Sequence, residues 1–303
     1  MTEALTPRTN PHGSSGGSEE RVMKGIAQVF RFAMVASLAT IAVACGGGGD
    51  DELTVTSQFV SDPTTPELRV LAPDGEGPWP VAVALHGFGD TGQDMVELGT
   101  RLAKAGVVVF VPTYNTDLST PEGLTKAGDD LACAYEVARR IAPEHGGDLS
   151  QPVTAVGWSL GADAVVLGGL GPPTDSSTGR CPGELPRPDV VVALSGCYYE
   201  FEGNPVTWFD DLTGWSNKSA DVHLVDGDND TTCPASQTDR LATSLRSGGY
   251  DVAVTQLSFA NHGAPIFHDE RDGQWQVITD DPAGERAVEI ILDAITTARD
   301  TRS

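Results

Sequence analysis

Residues Val153–Gly169 read VTAVGWSLGADAVVLGG, and this stretch constrains the chain more than any other. An apolar run (Val153, Ala155, Val156) meets Gly157-Trp158-Ser159-Leu160-Gly161, and a small-residue segment of helical character follows. Strand, sharp turn and helix is the context that a G-x-S-x-G elbow requires. The turn forces the serine into a strained backbone conformation, and glycine on either side removes Cβ atoms that would clash. A serine held there presents its Oγ at the end of a sheet, above a helix N-terminus. That positive helix end and the N–H of Leu160 favour negative charge nearby. The bland alternative is a glycine-rich strand-to-helix turn with an ordinary serine. The motif therefore gains meaning only if a base, an acid and a second N–H donor fall in suitable places.

The rest of the chain supplies the elements such an elbow needs. Leu53–Val60 and Leu68–Ala72 alternate as strands do, and read as a leading antiparallel pair. Pro80–His86, Val107–Val111, Val153–Gly157, Asp189–Ser195, Val222–Asp226 and Val252–Leu257 are short apolar runs, as buried strands tend to be. Helical patterns fall between them at Gln93–Ala105, Gly123–Ile141, Leu160–Gly169 and Pro234–Ser247, with a last one at Ala283–Arg299. Strands alternating with helices imply an α/β fold: a mostly parallel twisted sheet with helices on both faces. Sites in such sheets lie at the carboxyl ends of the strands.

A serine hydroxyl attacks only when a base takes its proton, and the base must be oriented by a third group. Of six histidines, His12 lies in the leader, His86 in a glycine-rich loop after a strand, His145 in a loop and His223 inside a strand. His262 and His268 lie beyond the last strand, where the base falls in the chain order serine, acid, histidine. His262 comes first after Val252–Leu257 and is the preferred base, with His268 second. For the acid, Asp226, Asp228 and Asp230 follow a strand; Asp230 is preferred, three residues after Gly227, and Asp228 is next. The same cluster is a poor calcium loop, because Gly227 breaks the register and no glutamate follows at the needed distance. No metal and no cofactor is expected. The second oxyanion donor is expected from the N–H of Phe88, between Gly87 and Gly89, partnering Leu160. Trp158, Tyr114 and Tyr198 are expected to line the substrate pocket.

Taken together, Leu85-His86-Gly87-Phe88-Gly89, Gly157-x-Ser159-x-Gly161, Gly227-x-x-Asp230 and His262-Gly263 resemble the motifs of the α/β-hydrolase superfamily. Within it the chain is similar to dienelactone-hydrolase-like and polyester-depolymerase-like serine esterases, over roughly Leu68–Arg299. The resemblance implies an α/β-hydrolase fold and an acyl-enzyme mechanism in which His262 deprotonates Ser159 and Asp230 steadies the imidazolium. Dienelactone hydrolases proper carry cysteine as nucleophile. Ser159 therefore argues against that chemistry.

The N-terminal region reads as an address rather than part of the fold. Residues 1–22 are polar and either disordered or ahead of the true start at Met23. Residues 23–44 have the layout of an export signal: a basic opening, the apolar run Phe32–Ala44, and small residues before the cut. That run is shorter than the roughly 20 residues of a spanning helix. Ala42-Val43-Ala44-Cys45 resembles a bacterial lipobox, with Ala42 where leucine is usual, so Cys45 is the expected lipidation site and 45–52 a glycine-rich tether. The hydrolase domain is then 53–303. The expected location is outside the cytoplasm, membrane-anchored through Cys45 or secreted.

The first 44 residues carry four basic and three acidic side chains, so the whole negative excess, formally −24, lies beyond them. Such a field repels nucleic acid and anionic membranes. The expected partner is a small-molecule or polymeric ester, with the membrane reached only through a lipid. Four cysteines remain besides Cys45. An even count in an exported chain favours disulfides, here Cys197–Cys233 beside the site and Cys133–Cys181. The aromatic segment Gly196–Ala220 is either a cap over substrate or ordinary loop packing. A ligand- or partner-binding lipoprotein and an acyltransferase are the alternative functions on this fold.

Overall fold

The computed structural model describes residues 53–302 except 63–64, 66, 115–120, 172–186, 202 and 272–273. The expected export signal, the expected lipidation site Cys45 and the Cys181 half of one expected disulfide lie outside the described residues.

An eight-stranded sheet organises the domain. Its strands are β1 (Val55–Val60), β2 (Leu68–Pro73), β3 (Val81–Leu85), β4 (Val108–Pro112), β5 (Val153–Trp158), β6 (Val190–Leu194), β9 (Asp221–Gly227) and β10 (Val252–Leu257). Two short hairpins lie outside it, β7 (Glu200–Phe201) with β8 (Asn204–Pro205), and β11 (His268–Arg271) with β12 (Gln274–Val277). The sheet order is β1-β2-β4-β3-β5-β6-β9-β10. β1 and β2 pair antiparallel, as does β2 with β4, and every other neighbour is parallel.

β3, β4, β5 and β6 are buried along their whole length, which is why they read as continuous apolar runs rather than alternations. Their successive side chains feed two separate cores. Val81, Val83 and Leu85 of β3 pack on one face with α2 (Pro121–Ile141), α3 (Leu160–Leu170) and α4 (Ala235–Ser247). Ala82 and Ala84 face the other layer, made by α1 (Val96–Lys104) and α5 (Pro282–Arg302). Leu98 and Leu102 of α1 are fully buried there, each contributing about 2 kcal/mol by the usual area argument.

The helix expected over Gln93–Ala105 is a 3₁₀ turn, Gly92–Met95, continued by α1. Thr91 caps that turn, and the Asp94 carboxylate accepts from the Thr91 backbone N–H in return. The hairpin β11–β12 was not anticipated. QWQV alternates Trp275 and Val277 with glutamines, but over four residues only, and HDER carries no apolar residue, so the pair reads as loop.

The order of connections creates the site. From β3 the chain moves outward to β4, then returns across β3 to place β5 on its other side. A crevice therefore opens at the carboxyl ends of β3 and β5, where the direction of winding reverses. The loop His86–Gly89 leaves one of these strands and Ser159 leaves the other. No helix among the described residues is long and apolar enough to cross a membrane.

Candidate active site

Ser159 sits between β5 and α3 with φ +54° and ψ −122°, the strained conformation expected of the elbow. Its N–H donates to Leu194 O at 2.9 Å, tying the turn to the neighbouring strand β6. The two motif glycines have a steric reason. A Cβ on Gly157 would collide with the backbone carbonyl of Gly161, and a Cβ on Gly161 with the carbonyl oxygens of Leu85 and His86. The helix start can lie this close to β3 only without side chains at those positions.

Three distant segments meet at the serine. His262, on the loop after β10, has Nε2 2.9 Å from Ser159 Oγ and Nδ1 2.8 Å from Asp230 Oδ2. A carboxylate only accepts, so Nδ1 carries the proton and Nε2 accepts from the serine hydroxyl. Asp230, just past β9, is aimed by its other oxygen: Oδ1 accepts the N–H of Thr232 at 2.9 Å and of Cys233 at 2.8 Å. All three side chains are buried. The imidazole is held from behind as well, since Trp158 Nε1–H donates to the His262 carbonyl at 2.7 Å. Asn261 Oδ1 accepts the N–H groups of Gly263 and Ala264 and stiffens the same loop. The alternative base His268 points elsewhere, with Nδ1–H donating to Ile266 O at 2.9 Å and Nε2 facing Asp94 at 3.9 Å. The alternative acid Asp228 is exposed.

The Cys197–Cys233 disulfide is present, its Cα atoms 4.8 Å apart. It ties the segment after β6 to the residue whose N–H holds Asp230.

The N–H groups of Phe88 and Leu160 have no hydrogen-bond acceptor among the described residues and flank Ser159 in one cavity of about 420 Å³. This volume suits a small ligand. Beside Ser159, Phe88 and Leu160 the wall is largely apolar, with Phe201, Val206 and Trp208 from the segment after β6. That segment divides its aromatics. Tyr198, Tyr199, Phe209 and Trp215 pack inward against one another, whereas Phe201 and Trp208 face the cavity. Phe88 is half exposed, its ring 5.7 Å from that of Phe201 at the cavity wall.

None of the three expected pocket residues, Tyr114, Tyr198 and Trp158, is on its wall. Tyr114 is buried, and its hydroxyl donates to His86 O at 2.7 Å while its N–H donates to His86 Nε2 at 3.2 Å. It braces the loop that carries Phe88, as does His86, whose Nδ1–H donates to Gly87 O at 2.9 Å. Burial pushes the His86 pKa down, so this ring is a neutral brace. Tyr198 is fully buried with its ring edge-on to Phe209, drawn inward because the loop uses it as core. Trp158 does flank the site, its ring 5.2 Å from His262, on the side away from the cavity.

One contributor gave no signal in the sequence. Trp275, on β12, places its ring 5.7 Å from Trp158 and 6.4 Å from His262 and remains partly exposed. It forms the outer wall on the histidine side. Only the hairpin, whose first strand HDER carries no apolar residue, brings it there.

This geometry has counterparts among solved structures. A carbohydrate esterase from gut microbiota, in truncated form, matches at 16% identity and TM-score 0.58, covering 83% of this chain and all of that one. The fold is that of the α/β-hydrolases. An esterase of Thermogutta terrifontis, solved phosphorylated by paraoxon, matches at 14% identity and TM-score 0.59, covering 80% of this chain and 94% of its own. A putative dienelactone hydrolase of Klebsiella pneumoniae matches at 17% identity and TM-score 0.56, over 80% and 99%. No protein-family model and no curated protein sequence matches the chain.

Proposed function

We propose that the protein is a serine hydrolase that cleaves carboxylic esters through an acyl-enzyme. The observation that carries this reading is the relay Asp230–His262–Ser159, with both hydrogen bonds under 3 Å and the serine strained at φ +54°. A binding protein has no use for a buried base and acid aligned on a hydroxyl. The esterases with the same fold add support of a coarser kind.

In the reaction, Nε2 of His262 takes the Ser159 proton as Oγ attacks the ester carbonyl. The charge that develops on the carbonyl oxygen is stabilised by the N–H groups of Phe88 and Leu160 and by the start of α3, which together are worth several kcal/mol in sites of this kind. Asp230 stabilises the imidazolium and holds its tautomer. The imidazolium then protonates the departing alcohol, and a water activated by the same nitrogen releases the acid.

Because His262 must reach the leaving oxygen and does not line the cavity, the alcohol leaves on the side of Trp158 and Trp275. The cavity takes the acyl group. Export is part of the same reading, with residues 23–44 as signal and Cys45 as the lipid site. It is supported by the Cys197–Cys233 bridge, which belongs to oxidising compartments. Metabolic labelling with an alkynyl fatty acid, lost in Cys45→Ser, tests the anchor.

The activity test is turnover of p-nitrophenyl acetate and butyrate by wild type and Ser159→Ala. Turnover by the wild type alone supports the hydrolase. Equal turnover by both variants refutes it and leaves a ligand-binding protein.

A further inference from the structure

Asp163 lies in the first turn of α3, four residues after Ser159, and belongs to the wall of the same cavity. Its N–H donates to the Ser159 carbonyl at 3.3 Å, which sets it one turn along the helix from the elbow. This carboxyl therefore stands one turn below the nucleophile on the acyl side. It is 2% exposed and its Oδ1 has no hydrogen-bond partner; the buried hydroxyls of Tyr198 and Tyr114 feel its charge, but neither hydrogen-bonds to it. The remaining wall is mostly aromatic and aliphatic, and the polar Asn204 and Thr207 that also border the cavity are exposed residues. A polar group left unsatisfied in such a place costs stability. An aliphatic side chain would fill the turn at no such cost.

We propose that Asp163 determines acyl specificity: as a neutral carboxylic acid it donates a hydrogen bond to an ether or hydroxyl oxygen carried on the acyl chain two or three bonds beyond the ester carbonyl. The inference rests on the esterase reading of Ser159 and names the substrate class of that site. Burial pushes the Asp163 pKa well above the ordinary carboxylate range, which favours the protonated form, the form with a hydrogen to donate. A plain alkyl chain would desolvate this carboxyl and give nothing back. An oxygen at that depth satisfies it, and sites built to hydrogen-bond a substrate discriminate against the analogue that lacks the partner.

The experiment compares two nearly isosteric substrates, ethyl 3-methoxypropionate and ethyl pentanoate, by pH-stat at pH 7. Each kcat/KM is normalised to the hydroxide-catalysed rate of the same ester. Wild type is expected to favour the methoxy ester by about tenfold, the worth of one hydrogen bond of about 1.4 kcal/mol. In Asp163→Leu the ratio is expected to fall to about one. Asp163→Asn, which keeps a donor of similar shape, is expected to retain most of the preference. Thermal unfolding supplies a readout independent of turnover, because replacing an unsatisfied buried carboxyl with leucine is expected to raise Tm.

A wild-type ratio near one overturns the proposal, as does a preference that survives in Asp163→Leu. A fall in Tm for Asp163→Leu, with the ratio kept, assigns the residue a purely structural role. Turnover of neither ester, or turnover that persists in Ser159→Ala, defeats the esterase reading itself. Turnover of both without preference defeats only the role of Asp163.

Discussion

Asp230→Asn probes the relay with the least disturbance of shape. In the wild type Oδ1 takes two backbone N–H groups, from Thr232 and Cys233, and Oδ2 takes Nδ1–H of His262. A carboxamide has one oxygen and one NH2, and it can lie in two ways. With its oxygen toward Thr232 and Cys233, both backbone bonds survive and NH2 faces Nδ1. Two donors cannot face each other, so the imidazole proton must move to Nε2, which then confronts Ser159 Oγ as a donor and cannot take its proton. Turning the amide over restores the productive tautomer but sets NH2 against two backbone N–H groups, that of Cys233 buried and that of Thr232 partly so. Leaving those unsatisfied costs about 1–3 kcal/mol each, so the competent arrangement falls by roughly two to four powers of ten. Loss of the negative charge beside the imidazolium adds to this. The expected result is a drop in kcat of about 10³–10⁴ with little change in KM and no change in far-UV dichroism. Single-turnover hydrolysis of p-nitrophenyl butyrate measures it, with Tm as the control for folding. If a folded Asp230→Asn kept activity within about tenfold of wild type, Asp230 would not be orienting His262 and the reasoning would fail.

Other consequences follow from neighbouring contacts. Asp90, in the loop after β3, has its pKa pushed up to about 6 by burial and by Asp94, against an ordinary 3.8. The folded state thus holds a proton that the unfolded chain releases between these values, and stability falls as pH rises from 3.8 to 6. Asp90→Asn is therefore expected to raise stability at pH 7 by about 1–2 kcal/mol, after discounting for the solvent-facing side of the group, with the gain gone near pH 4; urea titration at both pH values checks it, and a gain confined to acid pH would reverse the sign. Replacing Cys197 and Cys233 with alanine opens a bridge between residues 36 apart, worth about 4 kcal/mol in the chain-entropy account; calorimetry should show Tm lower by about 8–15 °C, and an unchanged Tm would contradict it. Trp158→Phe removes the 2.7 Å bond to the His262 carbonyl, and kcat should drop by about three- to tenfold with the acyl-chain preference unchanged; a shift in that preference would put Trp158 on the acyl side instead.

Much of the site was readable in the chain because chemistry and topology leave few choices. The G-x-S-x-G glycines mark a backbone approach that no side chain permits, and the order serine, aspartate, histidine leaves few candidates once strands are placed. His262 rather than His268 was legible from its distance beyond β10, and Asp230 from the turn after Gly227. The pocket wall was not. Tyr114 looked like a wall residue because it follows β4, yet the unsatisfied carbonyl of His86 draws it inward. Tyr198 became core because its loop buries more aromatic surface than it can present to substrate. Trp275 reaches the site through a hairpin in which four alternating residues, QWQV, pair with an all-polar strand, HDER, too short and too polar a pattern to mark a strand pair. Asp163 reads as an ordinary helix-start acid until its burial and its lack of a partner are seen.

The central claim is that one hydroxyl in this chain is primed for attack. Treating the folded protein with a fluorophosphonate probe, followed by intact mass and peptide mapping, tests that most directly. The account predicts a single adduct on Ser159, absent from Ser159→Ala and slowed in Asp230→Asn. A folded wild type that takes up no probe, or a Ser159→Ala variant labelled to the same extent, would contradict it.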